Sequence, residues 1–235
     1  MFDIYTDEIN KPGKNIIGKK IQESTAKNIY YVLSIAGVII GIYLAWKIGK
    51  PVMAFVQFFA AVSLWIYSSF YKRRFLAGNI LISLLTSLSL SVVGLFEPEF
   101  YRNFIYLFIY ALFAFSVSMI REVIKDMEDV DGDERTQCRT IPVRLGMEKS
   151  KKIIYLLIFL TIILIAFILW KFFYTNKVIS YWYLFLMFTI PFLALWRLVY
   201  SAAEKKDYYY ASIFTKGIMA AGILSMIPFY YYFLR

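Results

Sequence analysis

Seven stretches of the chain carry almost no charge: Asn28–Trp46, Pro51–Tyr71, Phe75–Phe96, Asn103–Ile120, Ile153–Trp170, Val178–Trp196 and Tyr208–Leu234, the last broken only by Lys216. Each has roughly the 17–25 residues that a helix needs to cross about 30 Å of hydrocarbon. A helix in a soluble core is usually shorter and keeps one polar face. The pattern therefore predicts an all-α fold, a polytopic transmembrane bundle of seven spans. Pro51 suits a helix start. Pro191 and Pro228 fall inside spans and are expected to kink them. No linker, low-complexity tract or repeat separates the runs, so residues 1–235 read as a single integral-membrane domain. Met1–Lys27 holds nine charged residues and contains neither the apolar core of a signal peptide nor a span.

The polar remainder is unevenly distributed. If the spans alternate, one side receives Met1–Lys27, Lys72–Arg74, Arg121–Lys152 and Arg197–Asp207, with nineteen of the twenty-six Lys and Arg residues. The other side receives six, and Lys216 lies within a span. The positive-inside rule places the first set, and the N-terminus with it, in the cytoplasm, and the C-terminus outside. The net charge of +10 then reflects topology and calls for no nucleic-acid partner. Composition agrees: 60% of residues are apolar and 18% charged, against about 45–50% and about 25% in soluble domains. A single cysteine, Cys138, excludes an internal disulfide, and the absence of histidine removes the usual zinc ligand and the commonest general base. Aromatic residues cluster near span ends, as interfacial belts do.

The acids segregate as well. Fourteen of sixteen fall on the predicted cytoplasmic side, seven of them within Arg121–Glu134. On a helix, Glu122, Asp126, Asp129 and Asp133 share one face. Like charges at that spacing cost about 0.2–0.5 kcal/mol per pair, so the stripe suggests a cation that bridges it. Oxygen ligands without histidine point to a hard ion, Mg²⁺ before Zn²⁺. A solvated acidic loop is the alternative, and Gly132 is positioned to end the helix before Asp133. A second pair, Asp3 and Asp7, is followed by Lys11, Lys14, Lys19 and Lys20, and Lys72, Arg73 and Arg74 form a third cluster. Two carboxylate clusters with Lys and Arg on one membrane face suit a diphosphate, held through Mg²⁺ and directly by the cations.

These segments resemble the UbiA-type intramembrane prenyltransferases. That family carries a first motif of the form NDxxDxxxD followed by a KPxRPI-like loop, matched here by MFDIYTD and NKPGKNIIGK, with Asp3 and Asp7 on the second and third aspartates. A KR-containing loop is matched by YKRRFLAGN (71–79). A second aspartate motif with a trailing Thr-(Leu/Ile)-Pro is matched by KDMEDVDGDERTQCRTIP (125–142). The resemblance implies an intramembrane fold of nine spans whose active site opens at the cytoplasmic mouth and sideways to lipid. It implies Mg²⁺-dependent transfer of a polyprenyl group from a prenyl diphosphate to a lipophilic acceptor. On it, Asp3, Asp7, Asp126, Asp129 and Asp133 are expected to hold Mg²⁺, and Lys14, Lys72 and Arg73 to meet the phosphates. Arg121 and Lys125 are expected to pair with neighbouring acids, and no side chain is assigned as acid or base.

Two departures stand out. Gln137 replaces a customary glycine, and the Asn-Asp that opens the first motif falls just before Met1. The first span and most of the second are likewise outside the sequence, so seven spans correspond to the last seven of nine. The expectation is a late start: in-frame upstream DNA encodes Asn-Asp, and residues 1–235 alone are inactive. The alternatives are a truncated non-catalytic homologue, a cation transporter, which usually carries ionisable groups at mid-membrane, and a CDP-alcohol phosphotransferase, whose Asp-Gly-x-x-Ala-Arg element is matched poorly by Asp131–Arg135. Among acceptors, the KDMEDVDGD form most resembles enzymes acting on a glycerol-phosphate lipid, with quinone precursors as runner-up.

Overall fold

The computed structural model describes residues 4–10, 12–13, 15–94, 100–173 and 178–231. Among them the chain is helical, with no strand. A short α1 (Ile4–Asn10) precedes the hairpin of α2 (Glu23–Ile48) and α3 (Val52–Ile66), with Pro51 at the N-cap of α3. Then come α4 (Ala77–Gly94), α5 (Phe100–Glu128), two short helices α6 (Val130–Arg135) and α7 (Ile141–Leu145), and the long α8 (Met147–Phe173), α9 (Val178–Ser201) and α10 (Lys205–Leu224). The single-turn α11 (Met226–Phe229) follows α10.

Six of the predicted runs lie in helices long and apolar enough to cross a membrane, among the described residues. The remaining run, predicted at Val178–Trp196, forms α9, whose described apolar stretch is the shorter Phe188–Ser201. The protein is an integral, multi-pass membrane protein.

The bundle is centred on α5, which packs against α4, α8 and α10. Its inward side chains Val117, Ile120 and Ile124 are completely buried, as are Ile154 and Ile158 of α8 and Phe192, Leu195 and Val199 of α9. The packing is specific. Phe113 meets Phe188 edge-on with ring centroids 5.0 Å apart, and Tyr155 stacks on Trp196 at 5.2 Å. Lipid is as apolar as leucine, so helices hold together in it through such close van der Waals fit and hydrogen bonds rather than through the hydrophobic effect. By contrast α2 and α3 are largely exposed, with Trp46, Val52 and Phe55 pointing outward. That is the expected surface of a span facing acyl chains.

The two internal prolines have different outcomes. Pro191 is accommodated within α9. Pro228 coincides with a break: α10 ends at Leu224, the residue whose carbonyl its ring would meet, and the chain restarts as α11.

Candidate active site

The predicted acidic stripe sits at one end of the bundle, where α5 runs past the apolar run and carries Glu122 and Asp126 on its last turns. The helix does not continue smoothly. Asp129 adopts φ −98° and ψ 9°, a bend between α5 and α6. Backbone bonds Asp129 N–H to Lys125 C=O (3.0 Å) and Asp133 N–H to Asp129 C=O (3.1 Å) carry the helical register across the bend. The four acids consequently stay on one side, and all of them line a single cleft of about 660 Å³, its open mouth included.

Gly132 does not end the helix. It lies within α6 and is buried because α1 docks there. The Gly132 N–H donates to Asn10 Oδ1 at 3.0 Å, and a Cβ at this position would run into the Asn10 amide. Thr6 and Thr136 hydroxyls meet at 3.4 Å across the same contact. The Asn10 carbonyl accepts from Lys205 Nζ at 2.6 Å, tying α1 to the start of α10 as well. This docking brings Asp7 to the cleft, while Thr6 and Asn10 are buried against α6. Asp3 and Lys14 lie outside the described residues.

The third wall comes from the loop after α3. The last turn of that helix widens into a π-helical turn, Tyr67–Tyr71, closed by Lys72 N–H donating to Tyr67 C=O at 2.9 Å. Such one-residue expansions recur at functional sites. Here the turn delivers Lys72 and Arg73 to the cleft. The Arg73 carbonyl accepts from the Arg139 N–H at 2.8 Å, fastening this loop to the segment after α6. Arg144 lies over the Phe75 ring at 5.7 Å and adds a second tie. Gly78 lets α4 begin hard against the turn, since a Cβ there would stand 2.7 Å from the Tyr71 carbonyl oxygen.

The cleft concentrates negative charge. Glu122, Asp129 and Asp133 each act electrostatically on Asp126. Some of that charge is met by the protein. Arg121 pairs with Glu122, and Lys125 Nζ lies 3.4 Å from Asp129 Oδ2, as the sequence suggested for both cations. Asn79, buried on α4, donates to Asp126 Oδ2 at 2.8 Å. Asp129 Oδ1 is buried without a hydrogen-bond partner. An orphaned carboxylate oxygen beside further carboxylates is the donor set of a hard cation. Among the described residues no three acidic, histidine or cysteine side chains close around one point.

Asn79 and Thr140 also line the cleft, and sequence reasoning assigned neither a role. Both lie inside motifs quoted above, Asn79 closing YKRRFLAGN and Thr140 in the Thr-Ile-Pro, so motif membership was their only visible signal.

The model of the UbiA prenyltransferase family matches residues 1–224. Digeranylgeranylglyceryl phosphate synthase of Korarchaeum cryptofilum is 32% identical over 163 residues, 69% of this chain and 55% of that protein. The protein of the same name from Saccharolobus solfataricus is 33% identical over 70% of this chain and 56% of its own length. The chain spans about half the length of the curated relatives it matches. A solved structure from a study of digeranylgeranylglyceryl phosphate synthase in membranes aligns with a TM-score of 0.62 and 26% identity, over 96% of this chain and 76% of that one. The helical bundle, the order of the three motif segments and the family match over residues 1–224 lead to one conclusion: the chain belongs to the UbiA prenyltransferase family.

Proposed function

We propose that the cleft binds a prenyl diphosphate together with Mg²⁺ and that the protein transfers the polyprenyl group to a glycerol-phosphate lipid at the cytoplasmic face of the membrane. The observation that carries this reading is the convergence of two acidic segments with Lys72 and Arg73 on one cleft at the charge-rich end of the bundle. Carboxylates alone would repel a diphosphate. Carboxylates that hold Mg²⁺, set beside Lys and Arg, attract it.

Asp126, Asp129 and Asp133 would form one Mg²⁺-binding cluster and Asp7, with Asp3 of the same sequence motif, a second. When bound, Mg²⁺ stabilises the charge of the departing diphosphate. Lys72 and Arg73 donate to phosphate oxygens, Arg73 as a planar fork and Lys72 as a point charge, and Lys14 is proposed from the sequence motif to do the same. Asn79 orients Asp126, and Lys125 orients Asp129. In the transfer, the allylic C–O bond breaks and its electron pair leaves with the diphosphate. An oxygen lone pair of the acceptor hydroxyl forms the new ether bond, and the hydroxyl proton passes to the released diphosphate. The names of the relatives favour the glycerol-phosphate acceptor.

The test is to incubate the full natural chain in membranes with labelled geranylgeranyl diphosphate, Mg²⁺ and a panel of acceptors. The expected product is an ether on a geranylgeranylglyceryl-phosphate-type lipid. Label carried only onto an aromatic quinone precursor would replace the acceptor. No transfer to any acceptor would favour a non-catalytic homologue.

A further inference from the structure

We infer that Thr140 is a further substrate-binding residue, its hydroxyl donating a hydrogen bond to a phosphoryl oxygen in the cleft; the inference rests on the function proposed above. Thr140 is only 4% exposed and lines the cleft alongside Asp126, Asp129 and Asp133. Its Oγ1 is buried and has no hydrogen-bond partner. A buried hydroxyl left in that state destabilises the fold, so native proteins rarely retain one without use.

The local structure explains why the protein itself does not satisfy it. Thr140 is the N-cap of α7, where a threonine oxygen ordinarily accepts from the second or third backbone N–H of the helix. The second residue is Pro142, which has no N–H. Thr140 makes no capping bond to the third residue either. The hydroxyl is therefore not used by its own helix.

A second orphan in the same cleft, Asp129 Oδ1, narrows what the occupant must be. The carboxylate oxygen needs positive charge or a donor, whereas the hydroxyl offers a proton to an acceptor. An apolar chain would leave both atoms unmet. A metal-bound phosphate satisfies both. Two substrates bring phosphoryl oxygens, the prenyl diphosphate and the glycerol-phosphate acceptor, and Thr140 would bind either through the same chemistry.

The experiment titrates the purified full natural chain in detergent with inorganic pyrophosphate plus Mg²⁺ and, separately, with glycerol phosphate plus Mg²⁺. It measures melting temperature without ligand, for wild type, Thr140→Val and Thr140→Ser. A hydrogen bond to a charged group predicts that Thr140→Val weakens one of the two probes by about ten- to a hundredfold. The weakened arm identifies which phosphate is bound. Thr140→Ser is expected to bind like wild type, and Thr140→Val to melt at the same temperature or higher. Wild-type binding of both probes by Thr140→Val, or weakening by the serine variant equal to that of valine, overturns the inference. So does a lower melting temperature or failure to fold in Thr140→Val, which would make the hydroxyl structural. A wild-type chain that binds neither probe overturns the proposed function itself, and this inference with it.

Discussion

Asp129 combines three properties at one position: it sits at the bend between α5 and α6, one carboxylate oxygen meets Lys125, and the other is buried without a partner. Replacing it with asparagine keeps shape while removing the charge. Asp129→Asn and Asp133→Asn are each expected to lower Mg²⁺-dependent transfer by about a thousandfold or more while leaving the fold intact, since losing one ligand from a two-carboxylate site removes several kcal/mol of transition-state stabilisation. Turnover assays paired with thermal melts check this, and near-normal turnover would return the stripe to a solvated acidic surface. Gln137 offers a different residue-scale test. Its φ of 57° is left-handed, the conformation that a glycine would take without strain. The relief of about 1–2 kcal/mol outweighs the roughly 0.5–1 kcal/mol of extra chain entropy, so Gln137→Gly is expected to stabilise modestly, read as a raised melting temperature. The aspartates and the odd glutamine were legible in the sequence because helical spacing and motif comparison are one-dimensional. Asn79 was not, since its bond to Asp126 joins residues 47 apart and depends on how α4 meets α5.

The elements followed the hydropathy pattern closely because each apolar run must satisfy its own backbone bonds in lipid, which leaves a helix as the only open-chain solution. Features that depend on neighbours were not visible. The π-helical turn at Tyr67–Tyr71 interrupts no run, and nothing in its residue types announces it. In the sequence Gly132 is a candidate helix stop, whereas in the fold its lack of a side chain lets α1 dock on α6 through Asn10. That contact yields a prediction for the element as a whole. Asn10→Ala leaves the buried Gly132 N–H without its acceptor, at a cost of about 1–3 kcal/mol. The docking of α1 is expected to loosen while the core around α5 holds. Hydrogen exchange should rise across residues 4–10 and not in α5, and the KM for prenyl diphosphate should increase as Asp7 loses its fixed place at the cleft. Unchanged exchange in α1 would mean that the docking rests on other contacts.

At the scale of the molecule, the charge asymmetry that predicts orientation and the walls of the cleft come from the same segments, since Lys72, Arg73, Asp7 and the 122–133 stripe all belong to the segments that alternation of the predicted spans assigns to one side, with nineteen of the twenty-six basic residues. A reporter fused after Arg235 is expected to sit outside the cytoplasm; cytoplasmic reporter activity there would break the link between topology and site. The central claim, that the acidic segments and the cations form one Mg²⁺-diphosphate site for prenyl transfer, is tested most directly by a Mg²⁺ titration. Transfer of label from geranylgeranyl diphosphate to the glycerol-phosphate lipid is followed with the purified full natural chain in vesicles. Ether product is expected to rise with Mg²⁺, to disappear with chelator and to be lost in Asp129→Asn. Product formation indifferent to Mg²⁺, or undiminished in Asp129→Asn, would contradict the central claim.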